Sequence, residues 1–236
     1  MFTALLKRTL TVATVTLFLL LSSTVSASAE PPEVMLENLS QQLIDTLKTE
    51  REAIRRQPVR LYEVVEQVLI PHVDMQRMSR WVLGKHWRTA TREQKQLFTQ
   101  EFQTLLVRFY SAALLDEPDK LDELLASLDE GIISFQPARL SKDAKQSIVK
   151  ATVHLVEGPE IPVSFRLYKS GNSWKVIDVT VDGISLVTNY RSSFASEIRR
   201  DGLETMINRL SDRNRELLER SQNTRAATLP TSHTME

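Results

Sequence analysis

The stretch 174-WKVIDVTVDGISLVTNYRSSF-194 decides how this chain folds. Val176, Ile177, Val179 and Val181 lead into Asp182-Gly183, after which a second apolar segment runs to Tyr190, Arg191 and Phe194. Successive side chains of a strand point to opposite sides of the sheet, so a strand with one wet face carries a polar residue at every second position. Here apolar residues fall on both alternations, which predicts a strand covered on both faces. Asp182-Gly183 makes the turn that ends it, with glycine supplying a positive φ.

Upstream, the same alternation predicts three more strands. Ile133 to Leu140, Ile148 to Val156, Ile161 to Lys169 and Trp174 to Val181 are separated by turns at Ser141 to Asp143, Glu157 to Pro159 and Ser170 to Asn172. Turns this short imply an antiparallel meander. In the third strand Val163, Phe165 and Leu167 share one face, and Ser164, Arg166 and Tyr168 the other, so one side is wetter. Downstream, Ile198, Leu203, Met206, Ile207 and Leu210 predict a helix from about Phe194 to Leu218, and the polar residues 221–236 read as a disordered tail.

Before the strands the period is helical. Leu36, Leu39, Leu43, Leu47 and Ile54 mark one helix ended by Pro58; Leu61, Val64, Val65, Val68 and Leu69 mark a second, up to Pro71. A third starts at about Asp74 and carries Met75, Met78 and Val82 toward a C-terminal cap at Gly84. Thr91-Arg-Glu-Gln94 has the form of a capping box, and behind it Phe98, Phe102, Leu105 and Phe109 share one face of a long helix. Asp119 to Asp129 predicts a further short amphipathic helix through Leu121, Leu124, Leu125 and Leu128. Helices, then four strands, then a helix describe an α+β domain: a four-stranded antiparallel curved sheet packed against a helical layer and enclosing an apolar cavity.

Residues 1–29 read as a signal peptide, with Lys7 and Arg8 before the apolar run Leu10 to Leu21 and a small-residue cleavage site at Ala27-Ser28-Ala29. That leaves 30–220 as one domain and 221–236 as its tail. The chain contains no cysteine, which excludes a disulfide framework and a lipid-anchored form. The full chain balances 30 Lys+Arg against 30 Asp+Glu, and loss of Lys7 and Arg8 takes it to a formal charge of −2. This near-neutrality argues against nucleic acid as partner, which needs a net basic surface. With 42% hydrophobic residues and six glycines, the sequence specifies a well-filled core.

Catalytic and metal chemistry find little support. His72, His86, His154 and His233 are far apart, so no metal site is expected, and no Gly-x-Ser-x-Gly elbow or P-loop occurs. Asp178 is a carboxylate in the apolar fourth strand, where desolvation favours a general base, although a salt bridge or turn hydrogen bond involving Arg166 or Arg191 explains it equally. What stands out is apolar: Met78, Phe98, Phe102 and Phe109 on helices, Val149, Val153, Val163, Phe165 and Leu167 on strands, and Leu186, Tyr190 and Phe194 after the turn. These twelve are the candidate ligand-lining residues. No catalytic residue, metal or cofactor is expected.

Two blocks carry a resemblance. Leu83-Gly84, Trp87-Arg88, Gln94, Phe98, Phe102, Leu105 and Tyr110 form the first; Trp174-Lys175, Asp178-Val179, Gly183, Ser185-Leu186, Asn189-Tyr190-Arg191 and Phe194 form the second. Together they resemble the MlaC family of toluene-tolerance or auxiliary transport proteins, over roughly Val34 to Leu218. The resemblance implies a periplasmic carrier that holds phospholipid tails in an internal cavity. It further implies shuttling of lipid between an outer-membrane lipoprotein-porin complex and an inner-membrane ABC transporter with an MCE-domain protein, to maintain outer-membrane asymmetry. Two alternatives remain at this level: an enzyme acting on an apolar substrate with Asp178 as base, and a periplasmic adaptor or chaperone.

Overall fold

The computed structural model describes residues 30–57, 59–115, 132–141, 143–154 and 158–228. Helices α1 (Pro32–Arg56) and α2 (Val59–Val68) lead through a 3-10 turn at Ile70–His72 into α3 (Met75–Leu83), the short α4 (His86–Thr89) and the long α5 (Arg92–Leu115). Strands β1 (Ile133–Phe135), β2 (Gln146–Val153), β3 (Ile161–Ser170), β4 (Ser173–Val181) and β5 (Ile184–Ser185) follow. Helices α6 (Leu186–Asp201) and α7 (Leu203–Thr228) come last. The expected signal peptide and the expected Asp119 to Asp129 helix lie outside the described residues.

Local chemistry sets the helix boundaries. The Asp74 carboxylate accepts the Arg77 backbone N–H at 2.9 Å and starts α3, which ends at Gly84 with φ at +55°. At α5 the capping box is reciprocal: Thr91 Oγ1 accepts from the Gln94 N–H, and the Thr91 N–H donates to Gln94 Oε1, both at 3.1 Å. The predicted terminal helix is instead two helices. Ser185 Oγ accepts the Thr188 N–H at 3.1 Å and starts α6 eight residues before Phe194 counted inclusive of Leu186. Gly202, at φ +85°, then breaks the chain before α7. Helix α7 continues to Thr228, into the stretch read from sequence as a tail.

The sheet is an antiparallel meander in the order β1-β2-β3-β4-β5, with five strands where the sequence predicts four. The extra strand pairs Ile184 with Val181 across Asp182-Gly183, a two-residue hairpin with both central residues at positive φ, +47° and +78°. That is the geometry Asp-Gly favours, because it matches the right-handed twist of the paired strands. Strand β1 ends at Phe135 rather than Leu140, with one more ladder bond beyond it, from the Gln136 N–H to the Lys150 carbonyl at 2.8 Å.

A bulge accounts for the apolar surplus of β4. Arg166 pairs with Asp178 and Leu167 with Val176, so Ile177 is an extra residue with no partner in the ladder. The insertion flips the alternation. Trp174 and Val176 before it, and Val179 and Val181 after it, therefore share one face with Leu167, Phe165 and Val163. Ile177 and Asp178 are buried as well, so the middle of β4 is covered from both sides as expected.

Helices cover both sides of the sheet, not one. On the apolar face, Met35 and Leu36 of α1 pack with Val149, Leu167, Trp174 and Val176. On the other, α6 begins over Asp178, and the Arg166 guanidinium lies 5.8 Å from the Trp81 ring of α3. Helices α3, α5, α6 and α7 enclose a separate core of Met75, Met78, Phe98, Phe102, Phe194, Met206, Ile207 and Leu210. A third cluster joins α1 to α2 through Leu47, Ile54, Leu61 and Val64, with Ile132 before β1 at its margin.

Candidate functional site

The strand register gathers the five strand candidates onto one surface. Val149 lies opposite Phe165, Ser147 opposite Leu167, Ala151 opposite Val163 and Val153 opposite Ile161. On the next strand, Val163, Phe165 and Leu167 face Val181, Val179 and Val176. Strand β1 adds Ile133 opposite Val153 and Phe135 opposite Ala151. Apart from Ser147 and, at one end, Lys169, every side chain that β1 to β4 place on this face is apolar.

Its two ends differ in cover. Under α1, Val149 and Leu167 are fully buried, at 0% exposure. Toward the Asp182-Gly183 hairpin, Val153, Ile161, Val163, Phe165 and Val179 are only half-buried, and Val181 and Ile184 are exposed. The Phe135 and Phe165 rings lie 6.0 Å apart at 39°, side by side on the surface. Among the described residues this band of valines, isoleucines and phenylalanines is half-covered, which makes it the candidate surface for an apolar ligand. Phe135, Ile161 and Val179 are not among the sequence candidates. Ile161 was legible from its alternation with Val163, whereas Phe135 needed the β1–β2 register and Val179 the bulge.

The helix candidates lie elsewhere. Met78, Phe98, Phe102 and Phe194 are buried inside the four-helix core. Phe98 and Phe102 stack at 5.7 Å, Phe194 meets Phe98 edge-on at 5.7 Å, and Tyr190 meets Phe102 edge-on at 5.2 Å, so these rings satisfy one another. Burial drives the Tyr190 hydroxyl pKa far above the ordinary tyrosine value, and the neighbouring Tyr110, to which it is hydrogen-bonded, adds to the effect. Phe109 is half exposed and borders a cleft of about 370 Å³ between α5, α6 and α7, with Leu105, Tyr190, Phe194, Arg213 and Leu217. Leu186 is half-buried at the start of α6. Structure thus brings together the five strand residues and, separately, most of the helical ones.

Asp178 has a structural occupation. One carboxylate oxygen accepts the Val187 backbone N–H at 3.1 Å and the other accepts Ser185 Oγ–H at 2.7 Å. It therefore ties β4 to the first turn of α6, where the helix dipole favours a negative charge. Its cross-strand neighbour Arg166 turns to Trp81 instead, and Arg191 donates to the Trp81 carbonyl. On the polar side of the sheet, His154 sits between Ser134 Oγ at 2.9 Å and Glu160 Oε1 at 3.1 Å, in an exposed chain. Among the described residues, no group of three His, Asp or Glu side chains is placed to hold a metal ion, and no helix is long and apolar enough to cross a membrane.

An open antiparallel sheet with helices packed against it defines an α+β protein, and relatives make the assignment specific. Residues 37–212 match the MlaC protein family, and the chain belongs to it. It is 30% identical over 178 residues to the toluene tolerance protein ttg2D of Pseudomonas putida, covering 75% of this chain and 77% of that one. It is 20% identical over 205 residues to the intermembrane phospholipid transport system binding protein MlaC of Haemophilus influenzae, covering 87% and 92%. Among solved structures, the phospholipid-binding protein of Ralstonia solanacearum in complex with a phospholipid superposes with a TM-score of 0.68 at 26% identity, covering 80% of this chain and 99% of that one.

Proposed function

We propose that this protein is a periplasmic phospholipid carrier that holds acyl chains against the apolar face of its sheet. The observation that carries the reading is the half-buried band of Val153, Val163, Phe165 and Val179. It is supported by the Ralstonia solanacearum relative, which shares the fold and was solved with a phospholipid bound. Within the candidate set, the half-buried strand residues Val153, Val163 and Phe165 contact lipid, while Val149 and Leu167 are packed under α1 as the floor of the same face. Phe98, Phe102 and Phe194 act as core, and Phe109 and Tyr190 border a secondary apolar cleft.

Physical chemistry explains why such a carrier is needed. Two sixteen-carbon tails hold roughly 28 methylenes, and at about 0.8 kcal/mol each their exposure to water costs on the order of 20 kcal/mol. A sheet face that replaces that water removes most of the penalty, while the charged headgroup stays in solvent and no phosphate is buried unpaired. The carrier exchanges lipid between an outer-membrane lipoprotein-porin complex and an inner-membrane ABC transporter with an MCE-domain protein, maintaining outer-membrane asymmetry. Release is driven by docking, which separates α1 from the sheet.

Asp178 does not favour an enzymatic reading, because both of its oxygens are committed to Ser185 and the first turn of α6. The test is organic extraction of the purified protein followed by mass spectrometry. Phospholipid at about one molecule per chain is expected; protein recovered from membrane-containing cells without lipid contradicts the carrier and favours an adaptor or chaperone.

A further inference from the structure

The opposite face of the same sheet has a different chemistry. Gln146, Ile148 and Lys150 of β2 project on that side beside Tyr168, Arg166 and Ser164 of β3, since Ile148 pairs with Arg166 and Lys150 with Ser164. The segment after β1 is held alongside by the Gln136 N–H, which donates to the Lys150 carbonyl at 2.8 Å. Between them lies a groove of about 690 Å³ lined by Gln136, Arg139, Gln146, Ile148, Lys150 and Arg166 among others.

Its charge is unbalanced. Elsewhere Arg60, Arg77, Arg209 and Arg213 have carboxylate partners in Glu50, Asp74, Asp201 and Glu197. Among the described residues, no carboxylate lines this groove or pairs with Arg139, Lys150 or Arg166. Asp178, across the ladder from Arg166, is spent on α6. Arg139, Lys150 and Arg166 therefore line one groove with no carboxylate partner among the described residues, on a chain that carries 30 Lys+Arg and 30 Asp+Glu in all. Between them Ile148 is 52% exposed, an apolar anchor point inside a basic rim.

We propose that this groove docks an acidic segment of a partner protein, with carboxylates meeting Arg139, Lys150 and Arg166 and an apolar side chain meeting Ile148. Its concavity favours a protein segment over a bilayer, which engages cations protruding around inserted apolar side chains. Opposite charge across such a rim speeds encounter and selects the partner. The placement also keeps the lipid face free during docking. The inference deepens the carrier reading and rests on it for the existence of partner complexes.

The test places a photo-crosslinking residue at Ile148 in the full chain, expressed in the cells that make it, with the exposed Leu97 of α5 as the control position. Crosslinked peptides are identified by mass spectrometry. The expected result is a protein segment of net negative charge captured from position 148 and not from 97. Its yield falls about tenfold in Lys150→Glu/Arg166→Glu and recovers when acidic residues of the captured segment are reversed to Lys. Lys150→Gln/Arg166→Gln, which adds no new charge, gives an intermediate loss and guards against misfolding. Capture of lipid alone, of a segment without net negative charge, of nothing, or a yield that ignores charge reversal overturns the proposal. Extracted phospholipid is measured in the same samples: its absence from the unsubstituted protein overturns the carrier reading, whereas loss of crosslink with lipid retained bears only on docking.

Discussion

The helical core and the sheet face are built from the same kinds of residue and end in different states. Phe98, Phe102 and Phe194 show at most 1% of their surface and contact one another through stacked and edge-on rings. Phe165, Val163 and Val179 line up just as regularly, yet α1 reaches only one end of their row and the rest stays half-covered. Apolar content alone therefore does not identify a ligand surface. What sets the proposed lipid surface apart is that it is ordered by the strand register yet only half-covered in the described residues, with Phe165 and Val179 meeting the edge of the α1 cluster.

This contrast can be broken by substitutions on each side. Phe102→Ala empties a fully buried ring position and is expected to cost about 3–5 kcal/mol in urea unfolding, with lipid per folded molecule unchanged. Loss of lipid without loss of stability would mean that the rings, and not the sheet, hold the ligand. Asp178→Ala leaves the Val187 N–H without its acceptor at a buried position and is expected to cost about 1–3 kcal/mol, again with lipid retained. Val163→Trp adds bulk at a half-buried site, so stability changes by roughly 1 kcal/mol or less while extracted phospholipid drops. Full occupancy in that variant would remove Val163 from the site.

The smallest effect belongs to His86, whose Nε2 is buried without a hydrogen-bond partner among the described residues. Burial, then Lys85 and Arg199, hold its pKa below 6.5, so the unfolded chain takes up the proton first as pH falls. The stability His86 contributes is present above 6.5 and lost as pH falls through its depressed folded value. Urea midpoints measured on either side of that range should show a slope that His86→Gln flattens; an unchanged slope would place the titration elsewhere.

Features set by neighbours in sequence were legible and those set across space were not. The Thr91-Gln94 box, the Gly84 cap and the Asp182-Gly183 turn each depend on a few consecutive residues, and each appears where the pattern puts it. Alternation correctly placed Val163, Phe165 and Leu167 on one face. The two-sided greasiness of β4 was visible, but its cause was not: a bulge at Ile177 leaves no mark in composition and reassigns every residue after it. The break at Gly202 was hidden because Ile198, Leu203 and Met206 keep an apolar rhythm across it. The ring-rich face of α5 looked like spare apolar surface because its covers, α6 and α7, lie some hundred residues away and only the fold brings them together.

The most direct test of the central claim is to load the protein with a phospholipid carrying a diazirine on its acyl chain, irradiate it, and locate the label by peptide mass spectrometry. Labels on β2, β3 and β4 at Val153, Val163, Phe165 and Val179 are the predicted result. Labels confined to Phe98, Phe102 and Phe194 would contradict it and move the lipid into the helical core.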